Sequence, residues 1–462
     1  MFYLLVPISV IAERLGAGVV WHAICVRLDA AIVRRHAVTA AFVTLPLLLM
    51  LQLRVGDSIA VRQSFRGIPK MPIPVIDDRI LSLVLSRWVH AELLALFAVG
   101  EVLALFVVYA NLRSGISKMD RAKLVCAAAA MIAIALAPHA LTSADLYTYV
   151  GYSLLGTHSY APPTVVFSTK FAAINAWWGT PIVPAPYGPL WIAIGTLIAA
   201  PAATLAGKML AFRLLGLGSL LGIAYALRRG GFGPGIVALV LVNPFLYVQF
   251  VTNGHNDIFA ALLAVGAFAL VRARPALAWA LVVAAGLIKL PFVAIACLVF
   301  APIPDRRRRF ALAATAVGAS VAISGAWGGG AYLAALRYHI VSHAGSRDPV
   351  HAVVALGAVG LLAAAFFGRY RPRAGVLAFP ALGATIFPWY SIWALPYALL
   401  DRRMLAGLLI AWPALGFILE STLDTRPYIV VVLVAIVASV LRARLRRPGA
   451  TVPTEGFVID RG

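Results

Sequence analysis

Charge is scarce in this chain: 12% of its 462 residues are Asp, Glu, Lys or Arg, against 62% that are hydrophobic. A soluble domain of this length needs far more charge on its surface, and apolar runs of helix-spanning length recur along the chain. Cysteine is nearly absent. Cys25, Cys126 and Cys297 lie in or beside apolar segments without CxxC spacing, so they indicate neither a disulfide framework nor a zinc site and read as small core residues. No Walker or Rossmann glycine pattern lies on a strand-to-helix unit, so no nucleotide site is indicated. The glycines Gly328-Gly329-Gly330 follow an apolar helix and read as a flexible exit. Met1 to Val10 lacks a basic n-region, and no small-residue cleavage site follows, so no cleavable signal peptide is expected.

Acids are few, with 17 Asp and Glu against 39 Lys and Arg, a formal net charge of +22. The bases form short clusters between apolar runs rather than one continuous face, so they do not point to nucleic acid. Arg113/Lys118/Arg121/Lys123, Arg228/Arg229, Arg272/Arg274, Arg306 to Arg309, Arg369/Arg371/Arg373, Arg402/Arg403 and Arg442/Arg444/Arg446/Arg447 each follow such a run. This is the pattern of cytoplasmic loops, and it places both termini inside and 143–190, expected as a long polar and aromatic loop, outside. In that segment the only charges are Asp145 and Lys170.

The fold expected is all-α, a polytopic integral membrane protein of about fourteen transmembrane helices with further helices at the outer surface. Leu190 to Ala206 reads as a helix lying at or re-entering that surface, and Ala211 to Leu227 as the next crossing. Ala276 to Pro302 and Gly375 to Leu400 carry Lys289-Leu290-Pro291 and Phe387-Pro388-Trp389 at their middles, so each reads as a helical hairpin with an outward tip. Residues 1–37 suit an interfacial helix, and the base-rich loop from Arg54 to His90 falls outside as an exception to the charge rule.

Candidate functional residues gather at the outer ends of helices. Asp145 follows an apolar helix expected over Ala122 to Leu141, and by itself reads equally as a base or as a cap or turn residue. Tyr147, Tyr149, Tyr152, His158 and Tyr160 follow it, then Trp177, Trp178 and Tyr187. Such flat faces suit stacked sugar rings, although any single one also fits an interfacial belt. Thr252-Asn253-Gly254-His255-Asn256-Asp257 leads into another apolar run, so Asp257 or Asn256 is an N-cap candidate as well as a ligand for phosphate-linked or hydroxyl groups. Lys289, in mid-run, must meet water, an anion or a carboxylate. Glu101 is a further intramembrane acid.

Taken in order, the Asp-x-Tyr-x-Tyr at Asp145, Tyr187-Gly188-Pro189-Leu190-Trp191, Asn243-Pro244-Phe245 ending in Asn253-Gly254-His255-Asn256-Asp257, Lys289-Leu290-Pro291, and Pro388-Trp389-Tyr390 continuing to Pro396 resemble the GT-C glycosyltransferases. Within these the chain is most similar to bacterial polyprenol-phosphate-mannose-dependent α-mannosyltransferases and the related family 87 enzymes, over roughly Ala122 to Leu400. Family members commonly begin near Ala122. Their Asn-Pro-Tyr is here replaced by Ser159-Tyr160-Ala161-Pro162. The resemblance divides the chain into an N-terminal extension, 1–121, with about two transmembrane helices, a GT-C-like catalytic domain, 122–442, and a cytoplasmic tail, 443–462.

The resemblance implies transfer of a sugar, expected to be mannose, from a polyprenyl-phosphate donor to an envelope glycan or glycolipid acceptor at the outer face of the cytoplasmic (inner) membrane. Transfer inverts the β-linked donor. Asp145 takes the role of general base, and His255, Asn256 and Asp257 hold donor phosphate or acceptor. Tyr147, Tyr149, Tyr187, Lys289, Trp389 and Tyr390 complete the expected substrate site, with Lys289, Arg337 or Arg347 countering the phosphate charge. A divalent cation is compatible with this scheme, but two separated acids do not establish one, and no other cofactor is expected. The competing reading is a transporter or flippase for a lipid-linked or anionic substrate, favoured by Glu101, Lys289 and the broken helices but unsupported by any inverted repeat.

Overall fold

A computed structural model describes residues 30–62, 87–137, 143, 145–162, 167, 169–178, 183–343, 388–399 and 401–422. Among these residues every regular element is helical. The main helices are α1 (Ala30–Arg62), α2 (Arg87–Leu112), α3 (Lys118–Ala135), α4 (Asp145–Leu155), α5 (Pro189–Ala199), α6 (Leu205–Arg229), α7 (Pro234–Leu241), α8 (Asp257–Leu270), α9 (Pro275–Ile288), α10 (Arg306–His343) and α11 (Arg402–Thr422).

Sequence sets several of the ends. Ser117 accepts the amide of Asp120 at the start of α3, and Thr204 accepts that of Gly207 at the start of α6, each satisfying one of the unpaired first-turn donors. Arg228 and Arg229 close α6, where their charge complements the helix dipole.

α1 packs on α2 and α3, and α2 also packs on α7 and α11. One stripe of α1, Leu45, Leu49 and Leu53, and one of α2, Leu105, Val108 and Leu112, are fully buried at helical spacing. The outward stripe of α2, Leu96, Val99, Leu103 and Phe106, is just as apolar and is exposed. A helix apolar on both faces belongs in lipid, where hydrocarbon takes the place of water. Glu101, the acid between Leu96 and Phe106, is turned inward.

Among the described residues, four helical segments are long and apolar enough to cross a membrane: Arg34–Leu53, Leu93–Leu112, Leu205–Arg229 and Arg306–His339. A fifth results if Pro234–Leu241 and Pro244–Thr252, bent by 46° at their junction, form one span. The expectation of about fourteen crossings draws in part on segments outside the described residues. The crossing expected over Ala211 to Leu227 lies within α6, whereas α5 has 11 residues, about 16 Å of helix against a hydrocarbon core of about 30 Å, too short to span.

The run from Ala276 to Pro302 divides at Lys289, whose backbone is extended (φ −149°, ψ 110°) between α9 and the 3₁₀ turn Leu290–Ile295. Of the second expected hairpin, residues 388–399 are described: a 3₁₀ turn over Pro388–Ala394 and a short helix over Leu395–Ala398. Two expectations are corrected. Helix α1 continues to Arg62 where a loop was expected from Arg54, and the segment after Asp145 is helical rather than a loop. Gly329, with φ +61°, breaks α10 into two, and helix resumes at once. The tail 443–462 lies outside the described residues.

α6 passes so close to the π-helical turn Tyr247–Thr252 that a Cβ on Gly216 would sit 1.9 Å from the Phe250 carbonyl oxygen. Gly216→Ala should therefore destabilise the protein by about 1–3 kcal/mol as these backbones separate. Gly218→Ala, with nothing within 4 Å of its Cβ, is the neutral control. Apparent melting temperatures of the detergent-solubilised variants check this, and equal values for both would refute the close-approach argument.

Candidate active site

The candidate site assembles at the start of α4, the start of α8, the break after α9 and the 3₁₀ turn Pro388–Ala394. Asp145 is the first residue of α4, and its backbone amide is accepted by Ser143 Oγ at 3.2 Å. That capping role leaves the Asp145 carboxylate free for other partners. The chain reaches α8 through irregular backbone: Asn243 interrupts the helix, Tyr247–Thr252 form a π-helical turn, and Gly254 adopts φ +67°. A π-turn inserts an extra residue and redirects the chain beyond it. A Cβ on Gly254 would lie 2.8 Å from Leu146 Cδ1, so glycine is what lets the start of α4 approach this turn.

His255 results from that approach. Its Nδ1 lies 3.1 Å from Asp145 Oδ2, an ion-pair distance without the alignment of a full hydrogen bond. The ring is completely buried and stacks on Trp389 with centroids 3.9 Å apart and planes 13° from parallel. Asn256 occupies the N-cap position of α8, yet its side chain makes no capping bond and instead faces the Tyr149 hydroxyl at 3.4 Å. Asp257 likewise does not cap. Its Oδ1 accepts Lys289 Nζ at 2.8 Å and the Trp393 indole N–H.

The Lys289 ammonium is enclosed further by rings, 4.1 Å from the centroid of Tyr390, 5.2 Å from that of Trp393 and 5.9 Å from that of Tyr187. Of the partners open to it in sequence, Lys289 has thus taken a carboxylate. Tyr187 is placed by its neighbours: its carbonyl accepts the Tyr160 hydroxyl, its ring meets Tyr149 edge-on at 5.2 Å, and Gly188 donates to Ile288 O at 2.9 Å. A Cβ on Gly188 would overlap the Leu287 carbonyl, so this contact between the outer segment and the end of α9 requires glycine. Burial first, then the Asp145 charge for Tyr149 and the neighbouring Tyr149 followed by Asp145 for Tyr187, push these two hydroxyls well above the ordinary tyrosine range, so both remain neutral donors.

The structure thus brings together Asp145, Tyr149, Tyr187, His255, Asn256, Asp257, Lys289, Trp389 and Tyr390. Tyr147 is buried on the side of Arg213, whose guanidinium bonds the carbonyls of Thr252 and Ala137. His158 and Arg337 are exposed. Arg347 and the side chains of Trp177 and Trp178 lie outside the described residues. Trp393 was missed as a site residue, because an indole in an aromatic-rich apolar segment looks like any interfacial tryptophan. Among the described residues no three His, Cys, Asp or Glu side chains come together as a metal site would require.

Buried broken helices, a partly exposed acid and a ring of aromatic faces within an apolar helical protein suit a membrane glycosyltransferase. Residues 58–303 match the family described as alpha-(1->6)-mannopyranosyltransferase, N-terminal domain, and the chain belongs to that family. The match takes in Asp145, His255, Asp257 and Lys289, and begins upstream of Ala122, where the resemblance read from the motifs starts. It sets aside the transporter reading. No curated protein and no solved structure matches the chain.

Removing one partner of a buried ion pair leaves the other charge unpaired, at a cost of about 3–5 kcal/mol. Lys289→Met and Asp257→Leu should each destabilise the protein strongly, and the double variant should recover much of the loss. Thermal unfolding of the three proteins checks this, and additive losses would rule out direct coupling.

Proposed function

We propose that this protein transfers mannose from a polyprenyl-phosphate donor to a glycan or glycolipid acceptor, with Asp145 as the general base. The observation that carries the assignment is a difference in access. The side chain of Asp145 is 28% exposed, whereas those of His255 and Asp257 are at 0% and that of Lys289 is at 10%. Asp145 is the acid of the cluster that an acceptor hydroxyl can reach. The Asp257 carboxylate already serves Lys289 and Trp393.

In the proposed reaction the acceptor oxygen attacks the anomeric carbon on the face opposite the phosphate while its proton passes to Asp145. The bond from the anomeric carbon to the phosphate oxygen breaks, and its electron pair leaves with the lipid phosphate. Attack from the opposite face converts a β-linked donor into an α-linked product. Lys289 is the cation of the cluster, and its charge, offset by Asp257 in the resting protein, favours the anionic leaving group as negative charge develops. The Tyr187, Trp389 and Tyr390 rings, in this reading, supply the faces against which sugars stack, and the neutral tyrosine hydroxyls supply donors.

The site is proposed to face outward across the cytoplasmic membrane. Supporting this, the bases of Arg228/Arg229, Arg272/Arg274, Arg306 to Arg309 and Arg402/Arg403 lie away from the segment 143–190, which holds only Asp145 and Lys170 as charges. Single cysteines introduced at the exposed positions Lys170 and Arg307 should label from opposite sides of sealed vesicles, Lys170 from outside. Labelling of both from one side would overturn the orientation.

Loss of a general base costs on the order of 10²–10⁴ in rate. Asp145→Asn keeps the size and hydrogen bonding of a turn residue, so transfer of radiolabelled mannose from polyprenyl phosphate should fall by that factor while donor binding persists. Transfer near the parental rate would remove Asp145 from the mechanism.

A further inference from the structure

His255 lies against Asp145 in an arrangement that a general base by itself does not require. The imidazole is fully buried, has one face covered by Trp389, and presents Nδ1 to Asp145 Oδ2 at 3.1 Å. Its backbone is held as firmly. The amide donates to Gln249 O at 3.2 Å across the π-turn, and the preceding Gly254 takes the φ of +67° that allows Leu146, next to Asp145, to close on it.

Neither ring nitrogen makes a full hydrogen bond among the described residues: Nδ1 has the Asp145 oxygen at 3.1 Å, and Nε2 is buried without such a neighbour. An imidazolium would leave an unsatisfied N–H at that atom, a costly arrangement in a buried site. The neutral tautomer carrying its proton on Nδ1 needs only the Asp145 carboxylate as acceptor. Held at Oδ2, the carboxylate can rotate less freely, and its other oxygen remains for the acceptor hydroxyl.

We infer that His255 is a positioning residue for Asp145: its Nδ1–H holds one carboxylate oxygen so that the other is aimed at the acceptor hydroxyl, with Trp389 fixing the plane of the ring. This rests on Asp145 being the base. No bond of the substrate is made or broken by His255.

The test uses the full-length protein in lipid nanodiscs, polyprenyl-phosphate-[¹⁴C]mannose and a short α-mannoside acceptor. His255→Ala should lower kcat about ten- to a hundredfold, the loss expected for a hydrogen bond to a charged group, with KM for the donor little changed. His255→Asn, which restores an N–H donor near the position of Nδ1, should recover much of kcat. A kcat for His255→Ala within twofold of wild type overturns the proposal, as does a His255→Asn variant that folds and binds donor yet keeps less than a hundredth of the wild-type kcat. The asparagine variant decides the matter even if the alanine variant does not fold. Asp145→Asn run in parallel separates the two claims: inactive Asp145→Asn with an indifferent His255 removes only the positioning role, whereas active Asp145→Asn removes the base assignment itself.

Discussion

The buried pair between Lys289 and Asp257 is the constraint on which the rest of the site depends. Two charges taken out of water are tolerated only when each satisfies the other and further hydrogen bonds complete the shell. Here Trp393 supplies the further bond, and the Tyr390 ring covers the ammonium. The pair joins positions 32 residues apart, and the indole adds a third segment 136 residues along the chain. Through it the break after α9, the first turn of α8 and the 3₁₀ turn Pro388–Ala394 are held at one point, and the Trp389 ring that covers His255 is placed by the same turn.

Irregular backbone is the second requirement, and it is met only inside the protein. Helix ends and π-turns expose carbonyl and amide groups that hydrocarbon cannot satisfy. In this structure they are paired from within. Thr252 bonds the Ala135 carbonyl, Arg213 bonds those of Thr252 and Ala137, and Asn243 reaches Leu409 O in α11. Glycines then set how closely the pieces approach: Gly216 admits the π-turn, Gly188 admits the end of α9, and Gly254 admits the start of α4. The functional consequence is that His255, in the irregular segment before α8, and Asp145, at the start of α4, come within 3.1 Å of one another.

These two layers divide the ionisable groups by role. Asp257 and Lys289 spend their charge on each other and hold the architecture, while Asp145 keeps part of its surface open. In the proposed reaction this division leaves one acid open to an incoming hydroxyl while the other stays locked in its buried pair.

Much of this was readable along the chain. An apolar, sparsely charged sequence specifies membrane helices, and against that background every polar residue is conspicuous, which is why Asp145, His255, Asn256, Asp257 and Lys289 stand out without a structure. Pro291 beside Lys289 marks the break after α9, and the 11 residues of α5 sit where the charge pattern disfavours a crossing. Sequence marked Tyr147 and Tyr149 alike, yet they are two residues apart, and helical rotation by about 200° sends one toward Arg213 and the other to Asn256. Nor could it say that Lys289 would pair with Asp257, that Ser143 would free Asp145 from capping, or that Trp393 would bond a carboxylate. Hydropathy and capping signals act over a few residues and so are written locally. Which charge meets which is set by how distant helices cross, and the desolvation cost that selects one pairing over another exists only once those helices have packed.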